Sequence, residues 1–158
     1  MKRLMMILSV PVLALIVSSA VSAQSPQNDP RIGTWKLDIT RSSDSTRKSD
    51  TRTYTQSGDS VTVHIEIVNS DGSKQVYGYT GKSDGKDYAW TGQAPGGADT
   101  ISIRRIENAT FTCESKKGGK LLFTTTTRVS ADGKVMTLTT EGMADGKSMH
   151  AVRVYNKQ

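Results

Sequence analysis

The sequence predicts an all-β protein, an antiparallel up-and-down meander closed into a barrel of about eight to ten strands. Three observations carry that expectation. Runs of strand formers are separated by the turn dipeptides Gly58-Asp59, Asp71-Gly72, Asp84-Gly85, Gly118-Gly119, Asp132-Gly133 and Asp145-Gly146, and Gly and Asp suit the backbone of tight hairpins. Val61, Val63, Ile65 and Ile67 alternate with Thr62, His64 and Glu66, the period of a strand with one dry and one wet face. Beyond the N-terminal leader, no segment keeps an apolar stripe at helical spacing over three turns. An open sandwich is the competing architecture, but its Greek-key crossings need longer connections than these.

The leader comes first in the chain. Lys2 and Arg3 precede an apolar run from Leu4 to about Val17, and small residues end at Val21-Ser22-Ala23. This is the pattern of a secretory signal peptide over 1–23, and the run falls short of the roughly 20 apolar residues that span a bilayer. The only cysteine, Cys113, is far from the cleavage region, which argues against a lipoprotein. The protein is therefore expected to be exported, periplasmic or secreted. Residues 24–32, with Pro26 and Pro30, read as a disordered lead. About 135 residues remain after cleavage, enough for one domain with a core, placed at 33–158.

The first strand is expected near 34–39, within Gly33-Thr34-Trp35-Lys36-Leu37-Asp38-Ile39. Residues 40–50 hold no apolar side chain and are expected to form a short surface helix or a loop. Further strands are expected at 51–57, 61–68, 74–80, 86–91, 100–106, 110–116, 120–129, 135–141 and 148–155. Closing them into a barrel removes the exposed edges. The glycine-rich 93–99 lacks the Lys and Ser/Thr of a phosphate-binding loop and reads as a loop at one barrel mouth, where it can act as a gate.

Composition excludes several functions. The formal charge is +6, of which the leader's Lys2 and Arg3 supply two, and the basic residues are scattered. Nucleic-acid binding is not expected. His64 and His150 have no second histidine or cysteine at ligand spacing, so neither a metal nor another cofactor is expected. No pair of titratable groups that would converge inside a barrel cavity stands out in the sequence, and the chain is not expected to be an enzyme. With one cysteine it cannot staple itself, and Cys113 reads as a small buried hydrophobe.

The two ends resemble the calycin superfamily. Gly33-Thr34-Trp35-Lys36-Leu37 is similar to the first-strand signature of lipocalins and fatty-acid-binding proteins. The segments Thr127-Arg128-Val129 to Lys134 and Val152-Arg153-Val154-Tyr155 are more similar to the fatty-acid-binding branch. The chain departs from that branch in being exported and in having only the short polar 40–50 where a two-helix portal would stand. It thus resembles an exported bacterial-type lipocalin-like protein.

The resemblance implies that Arg128, Arg153 and Tyr155 converge inside the barrel on a ligand carboxylate. Guanidinium and phenol donors suit that chemistry. It also allows a second role for Arg153, stacking on Trp35 to close the barrel end. Tyr77 and Tyr79 share a face, as do Tyr88 and Trp90, and either pair can line an apolar pocket or merely cover neighbouring strands. Few aromatics and the threonines of 124–127 leave such a barrel short of interior filling, which favours a cavity. The expected function is binding of a small hydrophobic or amphipathic, fatty-acid-like ligand by a monomer. The alternative is a structural or interaction barrel of the cell envelope with no small ligand. Intact-mass analysis of the exported protein should show a chain that begins at Gln24; retention of residues 1–23 would refute the export reading.

Overall fold

The computed structural model describes residues 28–43, 46–144 and 147–158; the signal peptide expected at 1–23, the first part of the expected lead and the Asp145-Gly146 dipeptide lie outside them. Eleven strands alternate with tight turns: β1 (Gly33–Leu37), β2 (Arg47–Ser57), β3 (Ser60–Asn69), β4 (Lys74–Gly81), β5 (Asp84–Ala89), β6 (Thr91–Gly92), β7 (Thr100–Glu107), β8 (Thr110–Lys117), β9 (Lys120–Val129), β10 (Val135–Ala144) and β11 (Lys147–Lys157). They form one antiparallel sheet in the order β5-β7-β8-β9-β10-β11-β1-β2-β3-β4-β6, curled into a nearly closed barrel.

The edges of this sheet, β5 and β6, are consecutive in sequence, and Trp90 alone separates them. The expected strand at 86–91 is thus split. Its first part pairs with β7 and its second with β4. The chain switches partner at Trp90, whose backbone N–H donates to the Asp99 carbonyl at 2.9 Å, while Thr91 Oγ1 donates to the Gly78 carbonyl at 2.9 Å. Gly81 makes room at this seam, since a Cβ there would come 2.8 Å from the Tyr88 ring.

The dry face of β3 is Val61, Val63, Ile65 and Ile67, all buried, opposite exposed Thr62, His64 and Glu66. β2 starts earlier than the sequence suggested, at Arg47 rather than 51. Its inward face is Asp50, Arg52 and Tyr54, which pair across the ladder with Ile67, Ile65 and Val63. The polar stretch before it holds a single 3₁₀ turn at Ile39–Arg41. Ser42 and Ser43 then follow β11: the Ser43 N–H donates to the Val152 carbonyl, and their hydroxyls accept from Val154 and Val152 N–H groups. Backbone pairing, rather than apolar burial, fixes this segment.

The far end of the barrel is sealed by the last part of the lead, which is packed and not loose. Arg31 is 2% exposed, its guanidinium carbon 3.6 Å from the centre of the Phe111 ring, and its carbonyl accepts from Trp35 Nε1 at 2.7 Å. Trp35 is fully buried. The cation over its ring is the Lys157 ammonium at 5.2 Å, so the stacking role considered for Arg153 belongs to Lys157, the Cα partner of Trp35 across β1 and β11. Gly33 permits this: its φ is +125°, and a Cβ would lie 2.9 Å from Lys157 Cε. Replacing Trp35 with Ala should lower the unfolding free energy by about 3–5 kcal/mol, the cost of emptying a large aromatic site, as read from urea denaturation.

Candidate functional site

A cavity of about 490 Å³ opens between the barrel walls. Its mouth is formed by Pro95 and Gly96 of the 93–99 loop, by Lys117 and Leu122 beside the β8–β9 turn, and by Met143 and Met149 of β10 and β11. This places the glycine-rich loop at the barrel mouth, as its composition suggested. Arg31 lies on the floor.

Two sectors differ in chemistry. On β8 to β10, Ser115, Thr125, Thr127 and Thr140 turn hydroxyls inward, with Thr125 Oγ1 and Thr140 Oγ1 3.0 Å apart. Across from them stand Tyr54, Tyr77, Tyr79, Val63 and Ile65. Trp90 meets the rings of Tyr77 and Tyr79 edge-on, at 5.6 and 5.1 Å between centroids, and its buried Nε1 has no hydrogen-bond partner among the described residues. Tyr77 and Tyr79 therefore do line the interior. Cys113 lines it too, and burial raises its pKa, which keeps it a neutral thiol.

The third feature is a cluster of charge. Arg47, Arg52 and Arg153 line the cavity, and the carboxylate of Asp50 sits behind them, buried. Arg52 donates from Nε and Nη2 to the two Asp50 oxygens at 3.2 Å each, and Arg47 Nη1 also donates to Oδ2. Tyr155 donates its hydroxyl to Asp50 Oδ2 at 2.7 Å and accepts from Arg52 Nε at 2.9 Å. The irregular pairing between Arg47 and Ser49 turns Arg47 onto the same side as Asp50, the usual effect of a bulge.

Burial alone would raise the pKa of Asp50, but the charges of Arg52 and Arg47 and the Tyr155 bond outweigh it and hold the group below the usual carboxylate range. Burial would likewise lower Arg52, but Asp50 carries it well above the ordinary value. Tyr155 is pushed up, first by burial. The cluster is thus ionic at neutral pH, with the phenol neutral.

The three residues assigned to a ligand carboxylate do not converge. Tyr155 and Arg153 face inward, but Arg128 is exposed, on the outer wall beside Thr126 and Thr137. The physical reason is the strand period. Phe123, Thr125 and Thr127 of β9 face inward, so Arg128, one residue on, must face out. Tyr155, in turn, is engaged by a carboxylate of the chain itself. Sequence reading missed Arg52, Asp50, Arg47 and Arg31; the one available signal was the alternation of Asp50, Arg52 and Tyr54 with Thr51, Thr53 and Thr55. His64 and His150 are exposed beside Glu66 and Glu141. Tyr88 packs at the seam, its hydroxyl donating to Asp84 at 3.0 Å.

No family model matches the chain, and no curated protein does. Among solved structures, one similar chain is the siderocalin Ex-FABP, described as functioning through dual ligand specificities. The likeness covers 82% of this chain and 71% of that one, at 12% identity and a TM-score of 0.38.

Because folding lowers the pKa of Asp50, its ionised form stabilises the protein above the unfolded Asp value of about 3.9. That contribution fades as pH falls through the lower folded value. The stability gap between wild type and Asp50→Asn should therefore be about 3–5 kcal/mol at neutral pH, the cost of leaving buried charge uncompensated. It should shrink progressively below about pH 4 in denaturant titrations run across pH. A gap that did not change with pH would refute the ionic assignment.

Proposed function

We propose that this protein is an exported carrier that holds a small amphipathic ligand in the barrel, apolar along most of its length and anionic at one end. The supporting observation is the pairing of a cavity of about 490 Å³ with Arg47, Arg52 and Arg153 on its wall and no carboxylate among its described lining residues. That volume lies in the range of small-molecule sites. The aromatic and aliphatic sector offers a tail its dry contacts, and guanidiniums out of bulk water favour an anion. A fatty acid is the simplest molecule of this kind. The rival reading, a purely structural barrel, calls for an interior filled by side chains, and the hydroxyl-lined space beside Thr125 and Thr140 speaks against it. The signal-peptide pattern of 1–23 supports export.

The reading is tested with residues 24–158, freed of bound lipid by unfolding and refolding and titrated with dodecanoate while intrinsic tryptophan fluorescence is followed. Saturable binding at one site is expected, and Arg153→Ala should weaken it by about 1.5–3 kcal/mol, the worth of hydrogen bonds to a charged group. If neither anionic nor neutral amphiphiles bind saturably, the carrier reading fails. An Arg153→Ala variant that loses stability but binds unchanged would remove the anionic-head assignment.

A further inference from the structure

The middle of the cavity carries neutral polar groups that the fold itself does not use. Ser115, Thr127, Tyr77 and Tyr79 line it, each between 2% and 6% exposed, and among the described residues their hydroxyls find no hydrogen-bond partner in the protein. The unpartnered polar atoms that are wholly enclosed are Trp90 Nε1 and Arg105 Nε, so these four oxygens look onto the open space instead. Thr125 and Thr140 add a further donor, because their mutual bond of 3.0 Å uses one of two O–H groups and leaves the other without an acceptor. Burial pushes the Tyr79 phenol well above its ordinary pKa, so it keeps its proton and can donate.

Their depth is set by the strand ladders. Cys113, Thr125 and Thr140 form one inward row across β8, β9 and β10. Ser115 lies one inward step nearer the mouth and Thr127 one nearer the floor, each about 7 Å along its strand. Tyr77 and Tyr79 stand on β4 beside Ile65 and Val63, so apolar contacts and hydroxyls alternate at the same depth. A plain acyl chain laid past these groups would shut them off from water and offer no partner in exchange, which is costly for each buried hydroxyl. A ligand oxygen at that depth restores the bonds.

We infer that the ligand of this cavity carries a neutral oxygen, a carbonyl or a hydroxyl, part-way along its chain, and that Ser115 and Thr127 on one wall and Tyr77 and Tyr79 on the other are the groups that select it. The protein is thus a receptor for amphiphiles oxygenated in mid-chain, preferred over plain acyl chains of the same length. A site whose buried polar groups need partners discriminates in this direction, since the analogue without the oxygen leaves them unpaired. The inference rests on the carrier reading above and adds the chemistry of the tail; it does not depend on which cation meets the head.

Calorimetric titration of residues 24–158 with dodecanoate and with its five-, seven- and nine-oxo derivatives tests it. A purely apolar cavity would bind the oxo derivatives more weakly, because the carbonyl must leave water. Here at least one of the three should bind about fivefold or more tightly than dodecanoate, the worth of one ordinary hydrogen bond; a derivative that binds where dodecanoate does not meets the same expectation. If dodecanoate binds and no derivative exceeds it by that factor, the inference falls while the carrier reading stands. If none of the four binds, both fall together. Tyr77→Phe, Tyr79→Phe, Ser115→Ala and Thr127→Val each delete one hydroxyl with little change of shape. At least one of them should lower the preference for the favoured derivative over dodecanoate by about threefold or more. A preference that changes less than this in every variant that folds overturns the assignment to these hydroxyls.

Discussion

The barrel depends on a carboxylate that it keeps away from water. Asp50 joins β2 to β11 across the intervening β1, through the Tyr155 hydroxyl, and gathers Arg47 and Arg52 on its own strand. Removing ions from water costs several kcal/mol each, and only good geometry with nearly every lone pair and proton used offsets it. That requirement fixes more than one strand. A slip of β2 by one residue would carry Asp50 and Arg52 to the outer face and bring Thr51 and Thr53 inward, so the ion cluster specifies register as strongly as the apolar face of β3 does. It also resists collapse. Charged side chains that line a cavity cannot be buried against Ile65 and Leu138 without a further desolvation cost, and the space between the walls persists.

Two other devices complete the enclosure. At the seam, a single chain segment belongs to both edges of the sheet, so that β5 and β6 shield one another where an open barrel would expose backbone donors and acceptors. At the floor, Arg31 works as a flat plug. Its guanidinium lies over Phe111 while Asp29 takes its charge, which lets a cation fill an apolar hole at little electrostatic cost. Both devices close the barrel with side chains drawn from outside its long strands.

The architecture was legible because its hairpins announce themselves. Turn glycines and the alternation of Val61, Val63, Ile65 and Ile67 state both the connection and the face. The site was less legible, for a reason visible in β2. A strand whose inward face is Asp50, Arg52 and Tyr54 has the composition of a surface strand, and periodicity analysis looks for apolar residues. Arg31 was hidden similarly, in a segment with Pro26 and Pro30 that reads as a loose lead. Tyr77 and Tyr79 were found because aromatic residues alternate with small ones on β4. Arg128 was misplaced because a resemblance was carried over by position along the chain, whereas orientation on β9 follows parity with Phe123, Thr125 and Thr127.

The place of β11 has a consequence for how the molecule comes into being. It lies between β10 and β1, so the last of the described strands completes the ring for the first. Asp50 waits for Tyr155, and Trp35 for Lys157. The local hairpins can form in turn, but β1 has one free flank and the interior stays wet until β11 joins it. The partners that close the ring are more than one hundred residues apart, as Tyr155 and Asp50 are at a separation of 105. Cooperative assembly therefore waits on pairings of long sequence separation, and the local hairpins that form before them leave the interior open.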